Sequence, residues 1–273
     1  MKKLLVAVDF SNASRYAYEY AEWLSLQLGG SLSAVFVNTA TYAEITVSEK
    51  MRQEMIHKEN EGYRERLQQF TANYPDRDEE PLTEVKPEQL LVVTGRIAPA
   101  LSAAALKIQA DAIVVGTRAK HSLRDHLFGS VTTQLIGQTP CPLIIVPEGA
   151  AYKTVSRIAL AVDLQQQKKP VLPAVQSIAT ALEAELHPFY INLLPEEQDM
   201  FKEEQVKKAG HKVTMVRERT IVDGVDYFLE RYPSEMLAMY LPKQAFLNNL
   251  FRGRLPRHLA WKTPLPMLLI RES

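Results

Sequence analysis

One cysteine, Cys141, is all that 273 residues contain. An intramolecular disulfide is therefore impossible, and no Cys/His cluster exists for a structural zinc. An excess of charge of one sign is equally missing: 32 Lys and Arg offset 32 Asp and Glu, for a formal net charge of zero. Such a balance argues against a polyanionic partner, so no nucleic-acid binding through a broad basic face is expected. The six histidines stand apart, at 57, 121, 126, 187, 211 and 258, with none paired at a helical metal-ligand spacing. No metal site is expected from them. The N-terminal "MKKLLVAVDFS" has two lysines and an apolar run, but Asp9 interrupts that run after about six residues. This is too short for a signal-peptide core or a membrane span, so the chain is expected to be cytoplasmic, with no membrane partner. Catalytic signatures are missing too: neither a GxSxG elbow nor a Walker GxxxxGK[ST] loop occurs.

What the chain does contain is an internal echo. "KKLLVAVDFS" (Lys2–Ser11) returns as "SRIALAVDLQ" (Ser156–Gln165), and "TPCPLIIVPE" (Thr139–Glu148) returns as "TPLPMLLIRE" (Thr263–Glu272). The offset is 154 between Asp9 and Asp163 but 124 between Pro140 and Pro264, so the second copy is shorter by about 30 residues in its middle. Two halves descended from one ancestral domain explain this. The expected domains are 1–148 and 156–273, joined by "EGAAYKTVS" (Glu148–Ser156). The stretch "ERTIVDGVDYFLERYP" reads as the shortened middle.

In the first half, apolar runs alternate with helical segments. Leu4–Val8, Ser31–Val37, Leu90–Thr94, Ala112–Val115 and Leu143–Val146 read as strands, the continuous apolar ones as strands covered on both faces. Ser11 and Asn12 can cap a helix that closes at Gly29-Gly30. Val47 to about Asn73 reads as a long charged helix, Tyr74–Pro87 as a loop, and Ile97–Gln109 and Ser130–Gln138 as helices. In the second half, strands are expected near Ile158–Val162, Leu186–Leu193, Lys212–Arg217, Met236–Leu241 and Met267–Ile270. Alternation of this kind implies βαβ units with right-handed crossovers: an α/β, Rossmann-like fold with an open parallel sheet in each half.

Ligands of such sheets sit beyond the carboxyl ends of the strands, where the strand order reverses. Asp9 ends the first strand, Gly116 the fourth, and "VVGTRAKHSLRDHLFGSVTTQLI" leads from Gly116 to a helix opening at Gly129-Ser130. The free N–H groups of that helix and the positive end of its dipole favour an anion. Gly116 and Gly129 allow close backbone approach, the Ser130 hydroxyl can donate to a phosphate oxygen, and Asp9 can accept from a ribose or a base. Each feature also has a plain reading: a sharp turn at Gly116, an N-cap at Ser130, a helix cap at Asp9. Arg118, Lys120, His121 and Arg124 in the same loop serve either as solvated charges or as counter-charges to a triphosphate.

Along nearly its whole length the chain resembles the universal stress protein family in tandem form. The resemblance rests on "LLVAVDFS", "VVTGRIAPALSAAALKIQADAIVVGT", the Gly116–Ser130 stretch and "TPCPLIIVP". ATP-binding members of the family carry Gly, two residues, Gly, nine residues, then Gly-Ser or Gly-Thr; here this becomes Gly116, Ala119 and Gly129-Ser130 with both gaps kept. The resemblance implies a 3-2-1-4-5 strand order of the adenine nucleotide alpha hydrolase-like type, repeated as two tandem five-stranded sheets. It also implies ATP or another adenine nucleotide, with or without Mg, bound through Ala7, Asp9, Val35, Val37, Val115, Gly116, Ala119, Gly129, Ser130 and Val131. The methyl group of Ala119, where the family has glycine, narrows the cradle and disfavours positive φ; a cost of about 1 kcal/mol is roughly fivefold in affinity.

In the second half, Tyr240, Lys243, Gly253 and Arg254 stand where Gly116, Ala119, Gly129 and Ser130 stand in the first. Asp163 is kept, but a tyrosine where backbone must come close fills the pocket, and no nucleotide is expected there. Relatives on this general fold include nucleotide-dependent ligases with "HIGH"-like or "SGGxDS"-like signatures, and neither occurs. The expectation is a stress-response nucleotide sensor rather than an enzyme, with slow ATP hydrolysis at most; a nucleotide-independent interaction protein is the alternative. Family dimers pair through their last strands, which implies an intramolecular pseudo-dimer through Leu143–Val146 and Met267–Ile270, and leaves a homodimer open. Cys141 beside that strand reads as a buried apolar filler.

Overall fold

The computed structural model describes residues 1–40, 47–73, 82, 85–118, 130–150, 152–162, 172–193, 203–208, 211–241 and 265–271. They form two compact units, the first from described residues up to Tyr152 and the second from those from Lys153 onward.

In the first unit, β1 (Lys3–Ala7), β2 (Ser31–Asn38), β3 (Leu90–Thr94), β4 (Ala112–Thr117) and β5 (Leu143–Pro147) form a parallel sheet in the order β3-β2-β1-β4-β5. This is the 3-2-1-4-5 order, with the reversal between β1 and β4. Leu4, Leu5 and Val6 of β1 are 1% exposed or less, so neighbouring residues that point to opposite faces are both covered. Each such side chain contributes about 1.5–3 kcal/mol on burial.

Helix α1 (Asn12–Gln27) has Ser11 as its N-cap and buries Ala13, Ala17, Ala21 and Leu24, a ridge spaced by about one turn, against the sheet. Gly29 ends it at φ +55, and Gly30 follows where a Cβ would lie 2.3 Å from the Lys2 carbonyl oxygen. Helix α2 (Glu49–Ala72), capped by Ser48, packs on β2 and β3 on the same face as α1, where Tyr18 meets Phe70 edge-on. Its charged remainder is exposed, as the long charged helix read from the sequence requires. Helices α3 (Ile97–Ile108) and α4 (Ser130–Gln138) pack against each other. Right-handed crossovers put that pair on the other face. Tyr152, at the exit of the unit, stacks on Trp23 with centroids 5.7 Å apart and hydrogen-bonds Gln27, which ties the departing chain to α1.

The second unit runs β6 (Arg157–Ala161), α5 (Leu172–Ala181), β7 (Glu185–Leu193), β8 (Glu203–Lys208), β9 (His211–Glu218), α6 (Ile221–Arg231), β10 (Met236–Leu241) and β11 (Met267–Arg271). Its order is β8-β9-β7-β6-β10-β11, the same five-strand arrangement with one addition: β8, antiparallel to β9 at the edge. Among the described residues the second unit therefore contributes six strands rather than the five expected.

The location of the shortening also differs from the sequence reading. "ERTIVDGVDYFLERYP" contains an intact helix, α6, capped by Thr220 and carrying the buried Val225 and Phe228. Its start, Ile221, matches Ile97 of α3 at the 124 offset, while Glu185 of β7 matches Ser31 of β2 at the 154 offset. The difference in length between the units thus falls between β7 and β9, the connection that holds α2 in the first unit. An offset between two anchor motifs gives the size of a deletion without its position.

One local device recurs in both units. Asp111, just before β4, accepts from the Lys2 and Lys3 backbone N–H groups at 2.6 and 2.9 Å. Glu235, just before β10, accepts from the Ser156 and Arg157 N–H groups at 3.1 and 2.8 Å. In each case a carboxylate closes the orphan donors at the start of the central strand.

Candidate functional site

The reversal between β1 and β4 brings their carboxyl ends together. Leu4, Leu5 and Val6 pair with Ala112, Ile113 and Val114, so Asp9 and the end of β4 leave the sheet side by side. Arg118 lies near enough to act on the Asp9 charge. Of the ten residues expected at the site, Val35 and Val115 are buried in the sheet, Ala7, Val37 and Gly116 are half-buried, and Asp9 is exposed. Ser130 and Val131 form the first turn of α4. Ala119 and Gly129 lie outside the described residues, as do Lys120, His121 and Arg124 of the same loop. In the second unit Asp163, Lys243, Gly253 and Arg254 do as well.

Asp9 Oδ1 accepts from the Ser11 N–H at 3.0 Å and from the Ser11 hydroxyl at 2.5 Å. Ser11 Oγ in turn accepts from the Ser14 N–H at 3.3 Å, and Ser14 Oγ donates to the Ser11 carbonyl at 2.9 Å. Partial burial pushes the Asp9 carboxyl up, but the Ser11 hydroxyl and amide, the Ser14 hydroxyl and the Arg118 charge outweigh it and hold it below the ordinary 3.8. The carboxylate is ionised at neutral pH. It supports the capping serine rather than capping α1 directly.

Gly116 has a reason the sequence did not reveal. A Cβ built there would stand 2.1 Å from the Ala13 carbonyl oxygen, 2.4 Å from its carbon and 2.9 Å from the Ser14 nitrogen. The first turn of α1 lies directly on β4, and only glycine lets it. In the second unit Tyr240 pairs with Ile270 as Gly116 pairs with Val146, the same place in the ladder, and the described part of α5 begins only at Leu172.

The backbone of β2 contributes a second feature. The Val8 N–H donates to the Val35 carbonyl at 2.9 Å, so the Val35 peptide groups face β1. Alternation makes the Val37 groups face the same way. The β1 ladder, however, ends with the pair Ala7–Val35, and Phe10 turns the chain aside at φ +63. The N–H and C=O of Val37 therefore look past the end of β1 into the space beside Asp9. On the opposite side of β2, the Asn38 carbonyl accepts from the Gly95 N–H at 2.9 Å. The buried Asn38 side chain donates to Glu59 and Asn60, each at 2.9 Å, and so fastens α2.

Sequence reasoning missed Phe10, Asn38 and Arg66, whose guanidinium lies 4.1 Å from the Phe10 ring. The spacing Asp9-x-Ser11 is an Asx-turn signal, but nothing marks a phenylalanine for left-handed backbone. Cys141 proves half-buried rather than buried, its thiol pushed up mainly by burial. Among the described residues no cluster of three His, Cys, Asp or Glu side chains is placed to hold a metal. None of their helices is long and apolar enough to cross a membrane.

The arrangement offers one N–H and one C=O side by side and, beside them, an ionised carboxylate that can accept hydrogen bonds. A universal stress protein from Thermus aquaticus, named for the 3′ region of a QAH/OAS sulfhydrylase, is 37% identical over 65 residues, or 24% of this chain. That match covers 47% of the relative, so the chain spans about half the length of this curated protein. The crystal structure of a universal stress protein from Archaeoglobus fulgidus DSM 4304 has the same fold, with a TM-score of 0.67 at 17% identity over 99% of this chain and 98% of that one. The Universal stress protein family itself matches residues 1–147, more than half of the sequence, and the chain belongs to the universal stress protein family.

Proposed function

We propose that the first unit binds ATP or a related adenine nucleotide, with or without Mg, and that the protein is a cytoplasmic stress-response regulator whose occupied and empty states differ in partner affinity. The observation that carries this reading is the Val37 peptide edge, open beyond the end of β1 beside the ionised Asp9. An N–H next to a C=O complements adenine, which offers an acceptor at N1 and a donor at its 6-amino group. Guanine offers the reverse pattern and leaves both protein groups unpaired, which costs affinity. The first-turn N–H groups of α4, at Ser130 and Val131, would meet the phosphates. The protein acts by occupancy rather than turnover; at most it hydrolyses ATP slowly. The two units are two copies of one domain, as the recurring Asp111 and Glu235 clamps support, and the copy with Tyr240 at the Gly116 position binds no nucleotide.

One observation favours a second reading, a nucleotide-independent interaction protein. Packing on Ala13 alone accounts for Gly116, which removes that glycine from the reasons to expect a phosphate cradle. Titration calorimetry with ATP and GTP separates the two. The sensor reading expects a saturable ATP site, weaker for GTP and abolished by Gly129→Arg; no heat with either nucleotide supports the interaction protein.

A further inference from the structure

Three non-glycine residues among those described adopt left-handed φ: Gln109 and Glu183 follow helices, whereas Phe10, at +63, follows a strand. Helix ends favour that conformation; the end of a strand does not, and an L residue there is strained. The surroundings supply what holds it. The Phe10 ring stacks on Phe36 with centroids 4.9 Å apart, meets Phe70 edge-on at 5.7 Å, and lies 4.1 Å from the Arg66 guanidinium. Phe36 is in turn packed against Tyr63 at 4.3 Å, and the Arg15 guanidinium sits 3.5 Å from the Phe70 ring. Residues of β2, α1 and α2 thus fix one side chain at the end of β1.

The register says what the chain would do otherwise. With Ala7 opposite Val35, an extended continuation would bring the Val37 N–H to the Val8 carbonyl and the Phe10 N–H to the Val37 carbonyl. Those two bonds would consume the edge described above. We infer that Phe10 is a positioning residue for base recognition: held in a left-handed turn by Phe36 and Arg66, it ends the β1–β2 ladder early and leaves the Val37 peptide edge for a purine. The inference rests on the nucleotide reading, and it adds that α2, through Arg66, sets the shape of the base subsite.

Two readouts test it: the ratio of ATP to GTP affinity, and amide hydrogen exchange at Val37. Phe10→Val, whose β-branched side chain resists left-handed φ, is expected to lower the ATP preference about tenfold and to slow Val37 exchange as β1 extends. Phe10→Gly, which adopts that φ freely, is expected to keep more of the preference than Phe10→Val, and Phe10→Tyr to keep it fully. If Phe10→Val does not fold, Arg66→Met serves, with a smaller change in the same direction. A purely structural role would lower the melting temperature and leave both readouts where they were, and that result overturns the inference. A wild-type protein that binds no adenine nucleotide, while Val37 exchange still responds to Phe10→Val, overturns the base-recognition role through the nucleotide reading; an unchanged ratio in a protein that does bind ATP overturns Phe10 alone.

Discussion

Gly116 and Ala13 approach so closely that a Cβ on the glycine would stand 2.1 Å from the alanine carbonyl oxygen. The obstacle is backbone in the first turn of a helix, which cannot swing aside as a flexible side chain would. Gly116→Ala is expected to lift α1 from β4 and to destabilise the protein by about 1–3 kcal/mol, the usual cost of overpacking. Denaturant melts of nucleotide-free protein check this. Unchanged stability there would return Gly116 to a purely ligand-binding role.

Asn38 is 2% exposed and joins the end of β2 to α2 through Glu59 and Asn60. Asn38→Ala leaves those groups without their donor and is expected to cost about 1–3 kcal/mol. Asn38→Asp is more instructive, because it sets a carboxylate against the Glu59 carboxylate. Its destabilisation is expected to be larger at pH 7 than at pH 4, whereas an effect of packing alone would be the same at both, and a pair of urea melts distinguishes them.

Acid sensitivity follows from three carboxyls. Asp9 and Asp111 titrate below the ordinary 3.8 and Glu235 below 4.5; partial burial raises each, and hydrogen bonds from neighbouring backbone and serine groups outweigh it. A depressed folded pKa gives stability that is complete above the unfolded value and is lost as pH falls through the folded one. Stability attributable to these groups should therefore hold from neutrality down to the ordinary values and decline below them. The double variant Asp111→Asn, Glu235→Gln is expected to be weaker at pH 7 and to show a shallower acid limb in melts taken across pH 2–7.

Much of this architecture could be read in advance, and the exceptions have physical causes. Strands covered on both faces leave continuous apolar runs, so β1, β4 and β5 stood out in the sequence, and Ser11 before a helical stretch marked the cap of α1. The edge strand β8, "EEQVKK", carries one apolar residue in six and gave no such signal. The difference in length between the two halves was legible in size from the two offsets but was assigned to the wrong connection. At the site, Asp9 and Gly116 were singled out by residue type, yet what holds them is a matter of approach: one carboxylate beneath a capping serine, one glycine beneath a helix. Such contacts form between segments more than 100 residues apart, as at Ala13 and Gly116, and composition carries no trace of them.

Ala119 departs from the glycine of ATP-binding family members. Ala119→Gly is expected to tighten ATP binding about fivefold, the equivalent of about 1 kcal/mol, with little change in the melting temperature of the nucleotide-free protein. Equal affinity in the two proteins would show that the methyl group does not bear on the phosphates.

Nucleotide carried through purification reports most directly on the central claim, that the first unit is an adenine nucleotide site and the second is not. The protein is denatured as purified and the released small molecules are identified and counted by mass spectrometry. The account expects an adenine nucleotide at up to one per chain, absent from Gly129→Arg protein. No released nucleotide, together with no ATP binding at millimolar concentration, would contradict it.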